Sequence, residues 1–390
     1  MQPTVYVWDE TLRDGEQSPG VSLTIQDKVA IARALDEAGV TVIDAGFPAV
    51  SEQEREAITA VVGLGLRARI GVTVRGRQED IDMALDCGVR EVYMFLPTSP
   101  LHMRVKFGWT EEEVLHHGLQ LARYARRRGL DVVFIAEDTS RSDTGFVSRL
   151  FTAMHGVGVI GCIITDTVGC GTPTSIGRLA GTIRESTPPG LHLGIHCHND
   201  FGLATANTLA AVEQGVDFIT ATVNGIGERA GNAALEEVAA ALEFLYKVKT
   251  GIQTEKLYSL SQLVEGCSGM PVPPNKAVTG FNAFRHESGI HTQALLKAPE
   301  SYEVLKPESV GQSRGWVFGK HSGNTLLEAL AAERRITLQD ETLQQFKGTM
   351  EAAMDPQAKR LAIKELHLYY ARHLGLSPDQ AFKLLLGNNV

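Results

Sequence analysis

His196 and His198 stand two apart in the run HLGIHCH, residues 192–198. Alternate side chains of an extended chain share a face, so both imidazoles point one way and Cys197 points the other. Two neighbouring imidazoles can share one metal ion, and Asp14, in the loop after the first apolar run, is a hard oxygen donor that can complete the set. Two histidines and one carboxylate leave coordination positions open, as a Lewis-acid site requires. The same spacing also fits a core pair with satisfied ring nitrogens. Glu137 closes the apolar run Val132-Val133-Phe134-Ile135-Ala136. A partly desolvated carboxylate at such a place is a general acid or base, or else a helix cap. Arg13, next to Asp14, can hold a carboxylate or a developing oxyanion, unless it is an ordinary surface arginine. The stretch 225–232 (GIGERAGN) carries three glycines, which suits close approach of backbone to a ligand.

These residues do chemistry only if the fold gathers them. From Val5 to about Lys249, short apolar runs alternate with amphipathic helical stretches. The strand candidates are Val5–Asp9, Val40–Ala45, Ala68–Val74, Glu91–Leu96, Asp131–Glu137, Gly161–Thr167, His192–His198 and Phe218–Val223. Helices are expected at Ile25–Ala38, Glu111–Arg128, Ser175–Ser186, Leu203–Gln214 and Ala233–Tyr246, among others. Apolar strands joined by helical crossovers form a parallel sheet covered by helices. Eight such units predict an α/β fold of the (β/α)8 TIM-barrel type over residues 1–267, and no GxGxxG turn follows strand one to favour an open doubly wound sheet. In such a barrel the chemistry sits at the C-terminal ends of the strands, where Asp14, Glu137, His196 and His198 fall. Pro271, Pro273 and Pro274 then mark a linker, so residues 268–323 are expected to form a linker and lid segment. Residues 324–390 read as a small helical C-terminal domain.

The formal net charge is −9, without a long basic run, which argues against nucleic acid as a partner. Five cysteines without CxxC spacing suggest neither a disulfide frame nor a zinc cluster. No apolar stretch is long enough to span a membrane, and the expected location is cytoplasmic.

The motifs DETLRDGEQ (9–17), HCHND (196–200) and GIGERAGN (225–232) resemble the signatures of the DRE-type metal-dependent acyl-CoA condensing enzymes, which include homocitrate synthase and 2-isopropylmalate synthase. TSPLH (98–102), AEDT (136–139), DTVG (166–169), HESGIH (286–291) and GKHSG (319–323) extend the likeness over most of residues 4–325. The resemblance implies a divalent metal, Mg2+, Mn2+ or Zn2+, held by Asp14, His196 and His198 with Asn232 completing or supporting the site. It implies that Arg13 polarises a 2-oxo acid, that Gln17 and Thr167 contact substrate, and that His291, working with Glu137, removes a proton from acetyl-CoA, the co-substrate. It also implies a homodimer in which the lid carrying His291 crosses to the partner's barrel.

Within the family, the stretch from Asp200 through Glu236 is most similar to nitrogen-fixation-type homocitrate synthases, making 2-oxoglutarate the expected acceptor and homocitrate the product. Some homocitrate synthases grip the distal carboxylate with an arginine and a serine on strand five, where this chain has Val133 and Ile135. Arg75 and Arg104, in the loops after strands three and four, are then the candidate cations. The alternatives are a 2-isopropylmalate synthase or another alkylmalate-type synthase. A lyase is disfavoured because related lyases carry a catalytic cysteine in the loop after strand eight, where Arg229 stands here.

Overall fold

The computed structural model describes residues 4–317. It divides into one compact unit ending at Val272 and a second beginning at Pro273. The first is a closed barrel of eight parallel strands in sequential order: β1 (Tyr6–Asp9), β2 (Val42–Asp44), β3 (Arg69–Arg75), β4 (Glu91–Pro97), β5 (Asp131–Glu137), β6 (Gly161–Asp166), β7 (His192–Cys197) and β8 (Phe218–Ala221). Around it run α1 (Ile25–Ala38), α2 (Glu52–Val62), α3 (Gln78–Asp86), α4 (Pro100–Lys106), α5 (Glu111–Arg127), α6 (Thr144–Gly156), α7 (Pro173–Ser186), α8 (Ala204–Val212), α9 (Leu235–Ala240) and α10 (Leu257–Ser268). The α/β barrel expected from the alternation of runs is the fold observed.

Strand β5 shows why its sequence is almost wholly apolar. Val133 and Ile135 face the barrel interior with Trp8, Val42, Tyr93, Ile163 and Phe218. Phe134 points outward and meets Phe151 of α6 edge-on at 6.3 Å. Both faces are covered, so neither can be polar. The helices start where short side chains cap them. Thr24, Thr110 and Thr172 each accept from the backbone three residues on, while Asp27, Glu113 and Ser175 reach back in reciprocal capping boxes.

The barrel is filled unevenly. Trp8 lies 3.9 Å from Tyr93 and 5.7 Å from Phe218, centroid to centroid. These rings need room on neighbouring strands, and Gly194, paired with Phe218 across β7 and β8, provides it. A Cβ at Gly194 would fall 2.2 Å from the Phe218 ring. Gly194→Ala is therefore expected to lower unfolding free energy by about 1–3 kcal/mol through overpacking. Urea unfolding measures this, and Phe218→Leu in the same chain should recover part of the loss. A Gly194→Ala protein as stable as the parent refutes this packing account.

In the second unit, β9 (Arg285–His286) pairs in parallel with β10 (Gly315–Trp316), and α11 (Gly289–Lys297) lies between them in sequence. Arg314 forks onto Glu303, Nε to Oε1 and Nη2 to Oε2 at 2.6 Å each. The expected helical domain at 324–390 and the GKHSG stretch lie outside the described residues. No helix among the described residues is long and apolar enough to cross a membrane.

Candidate active site at the barrel mouth

Each strand delivers its last residues to one end of the barrel. After β1 the chain turns tightly, with Gly15 N donating to Glu10 O at 3.0 Å, and this sets Asp14 over the mouth. His196 is on β7. His198 lies just past it, held by a bridge to Asn232 and by its own N–H to Asp166 O at 3.3 Å. Asp14 Oδ2 stands 3.9 Å from Nε2 of both histidines. The two Nε2 atoms are 3.1 Å apart. All three residues are buried, and one ligand atom from each lies within 4.8 Å of the others. Cys197 faces the other way, toward Thr208 of α8.

Two imidazole nitrogens that face each other at this distance need a shared cation or proton between them. Asn232 Nδ2 donates to Asp14 Oδ1 at 3.0 Å and to Ile226 O at 3.2 Å, while its buried Oδ1 accepts no hydrogen bond. An unused carbonyl oxygen beside a carboxylate and two imidazoles, with no thiolate, fits a divalent metal site. Gly227 lies against this cluster: a Cβ there would fall 2.2 Å from Asn232 Nδ2 and 2.8 Å from Asp14 Oδ1. The loop backbone thus approaches these two side chains too closely to admit a Cβ.

The surrounding charges prepare the ligands. His196 Nδ1 is 2.7 Å from Glu10 Oε2 and 2.8 Å from Thr220 Oγ1, partners that leave Nε2 to face the site. Burial alone would lower the His196 pKa, but the charge of Glu10 and its bond outweigh it and the pKa is raised. His198 is driven down to about 4, first by burial and then by His196, and so stays a neutral donor. Asp14, although buried, is held well below the usual carboxylate range by Arg13 and the two histidines. Arg13 sits between three carboxylates, at 2.7 Å from Glu10, 2.9 Å from Asp14 and 3.0 Å from Asp44. Burial pushes Asp44 up to about 7, against the pull of Arg13, and Asp9 up to about 8. Asp44 and Asp9 thus take up protons well before the carboxylate ligand Asp14 does.

A cavity of about 200 Å³ opens above these groups, lined by Arg13, Gln17, Glu137 and Thr167 as well as by the metal-site residues. Thr167 Oγ1 accepts from Asp138 N at 2.8 Å. Glu137 is paired with Lys106, and His102 Nδ1 lies 3.7 Å from Glu137 Oε2, an atom that accepts no hydrogen bond. The apolar part of the wall is Phe47, Phe95, Ile135 and Ile163, with Thr73 and Thr165 beside it, and Glu10, Glu228 and Arg229 complete the lining.

Other expected residues lie elsewhere. Arg75 ends β3 instead of following it, and its guanidinium is forked onto Asp80 at 2.7 and 2.8 Å, outside the cavity lining. Arg104 is not in a loop but on α4, exposed, and it too is absent from the lining. Val133 lies one layer deeper than Ile135, in the barrel core. His291 belongs to the second unit, on α11, with its ring 4.1 Å from Tyr302 and 6.2 Å from His286. Glu10 and Asp44 were missed, although a carboxylate closing or following an apolar strand was the available signal.

Residues 4–264 match the HMGL-like family, and residues 278–358 match the homocitrate synthase post-HMGL domain-like family. The chain is 49% identical over 339 residues to an (R)-citramalate synthase of Methanocaldococcus jannaschii, covering 87% of this chain and 69% of that protein. It is 48% identical over 348 residues to a homocitrate synthase of Methanopyrus kandleri, covering 88% and 87%. To the 2-isopropylmalate synthase of M. jannaschii it is 42% identical over 365 residues, covering 93% and 70%. Among solved structures, the HMG-CoA lyase of Bacillus subtilis shares the fold, with a TM-score of 0.62 and 24% identity over 70% of this chain and 96% of that one. With its barrel matched along its length and the DETLRDGEQ, HCHND and GIGERAGN motifs gathered at one mouth, the chain belongs to the HMGL-like family, within the group that includes the citramalate, homocitrate and isopropylmalate synthases.

Proposed function

We propose that the protein condenses acetyl-CoA with a 2-oxo acid whose side chain is short and uncharged, as pyruvate or 2-oxoisovalerate is. This departs from 2-oxoglutarate, which the sequence put first. The observation that carries the reading is the wall of Phe47, Phe95, Ile135 and Ile163 facing the metal ligands. Among the described residues lining the cavity, the fixed cations are Arg13 and Arg229. Arg13 is shared by three carboxylates, and Arg229 is forked onto Asp200 at 2.8 and 2.9 Å. A distal carboxylate placed against this wall would be left without a partner. Leaving a buried charge unpaired costs several kcal/mol.

The chemistry follows from the groups present. A divalent cation held by Asp14, His196 and His198 supplies Lewis acidity to the 2-oxo carbonyl when bound. Arg13 steadies the oxygen that becomes an alkoxide, and Gln17 and Thr167 orient the acceptor. The acetyl methyl loses a proton to His291, acting with Glu137, and the resulting carbon nucleophile bonds to C2 of the acceptor. The alkoxide takes up a proton, and water cleaves the thioester to release coenzyme A. We further propose that His291 serves the barrel of a partner chain in a homodimer, since it lies on α11, beyond the proline-rich stretch that follows the barrel, and belongs to no barrel strand.

Thiol release with acetyl-CoA, metal and a panel of acceptors tests the substrate. We expect kcat/KM for pyruvate or 2-oxoisovalerate to exceed that for 2-oxoglutarate at least about a hundredfold, the equivalent of roughly 3 kcal/mol. Equal or better turnover of 2-oxoglutarate would return the acceptor to homocitrate chemistry.

A further inference from the structure

One layer behind the mouth, on the first turn of α1, Lys28 is only 1% exposed. Lysine reaches such burial when its charge is answered. Its Nζ donates to Glu54 Oε1 and Oε2 at 2.8 and 2.7 Å and lies 2.6 Å from Glu16 Oε2. Both carboxylates are also committed to backbone. Glu16 Oε1 accepts from Leu23 N at 2.9 Å, and Glu54 Oε1 accepts from Phe47 N at 3.0 Å. Glu16 is two residues beyond Asp14, in the turn that carries the carboxylate ligand. Phe47 is part of the apolar wall. Between Asp44 and Phe47 the chain closes directly onto Glu54, because a Cβ at Gly46 would fall 2.0 Å from Glu54 Oε1.

Stability is a poor reason for this arrangement. Apolar side chains of similar volume commonly replace a buried ion pair at no loss, whereas removing one partner is costly. What an apolar cluster would not supply is directional hold on two loops that belong to different strands. Three donors on one nitrogen, spread over two carboxylates that each grip a loop, supply it.

We infer that Lys28 is a positioning residue that ties the β1 loop bearing Asp14 to the β2 loop bearing Phe47, and so fixes the spacing between the metal ligands and the acceptor wall. The acceptor half of this inference rests on the reading of the mouth as a 2-oxo acid site; the metal half stands on the geometry of the ligands.

Glu16→Gln and Glu54→Gln each loosen one arm while retaining a hydrogen-bonding side chain. Lys28→Met releases both arms, and Lys28→Arg keeps the charge. Mn2+ binding, followed by competition with a chromogenic chelator without substrates, should weaken about tenfold in Glu16→Gln and stay within about twofold in Glu54→Gln. The acceptor KM should rise about tenfold in Glu54→Gln, with kcat within about twofold. Lys28→Met should combine both losses, and Lys28→Arg should recover most of each. If Lys28→Met fails to fold, the two glutamine variants decide alone. Folded glutamine variants with parental Mn2+ affinity and parental acceptor KM would overturn the inference, as would equal losses of both quantities in both variants. Should no 2-oxo acid be turned over, the functional reading fails, while the Mn2+ measurements still test the tie to Asp14.

Discussion

His196→Ala and His198→Ala should each lose at least about a thousandfold in turnover, several kcal/mol of transition-state stabilisation. Each should also lose metal binding measured by chelator competition. Their Nε2 atoms face one another at 3.1 Å with Asp14 Oδ2 3.9 Å from both, so removing one imidazole leaves too few donors in a buried place where water cannot easily substitute. Asp14→Asn should behave alike, since it removes the one carboxylate of the set. The comparison that gives the experiment its force is Cys197→Ala. Cys197 lies between the two histidines in sequence, and burial pushes its thiol well above the ordinary cysteine range, so that it stays protonated. Its side chain points toward Thr208 on the helix side, so its loss should leave Mn2+ affinity within about twofold. Were the histidine variants to retain full metal binding and turnover, the metal assignment would be wrong, whatever the family.

The contrast between these neighbours shows what the sequence could reveal. Period-two alternation is a local property, and it assigned the faces of His196, Cys197 and His198 without any knowledge of the barrel. The alternation of apolar strands with amphipathic helices is nearly as local, and the strand starts and ends came within a few residues of those observed. Partnership is different. Nothing in the order of residues says that Asp80, five positions on, takes the guanidinium of Arg75, or that Lys106 pairs with Glu137, 31 residues further along the chain. Both pairings decide whether a charge is available to a substrate. Arg104 lies away from the cavity lining for a related reason: Ser99 caps a helix at Pro100, and that helix carries Arg104 to an exposed position. The expectation of a nitrogen-fixation-type synthase rests on residues 200–236, which run from just after β7 through the loop after β8. Of the metal cluster that stretch holds Asn232, whereas Asp14, His196 and His198, like Phe47, Phe95, Ile135 and Ile163 of the acceptor wall, come from elsewhere in the chain. A close match in one set of loops therefore carries little information about the acceptor.

Mixing a Glu137→Gln chain with a His291→Ala chain should restore activity that neither homodimer possesses. Glu137 ends β5 and lines the mouth of the barrel, whereas His291 lies on α11 in the unit that begins at Pro273. If His291 acts in its partner's site, a hybrid dimer contains one site with both residues native and one with neither. Statistical exchange makes half of all dimers hybrids, so recovery should approach about a quarter of the parental rate when each complete site works independently. If each chain builds its own site, every site in every hybrid lacks one residue and the mixture stays inactive. The two arrangements differ in outcome, not merely in degree, because loss of a general base or its partner typically costs about 10²–10⁴-fold. Exchange is verified by tagging one chain and recovering the other with it. Hybrids formed in this way but without regained turnover would show that His291 serves its own barrel or none, and the lid would then have to close within a single chain.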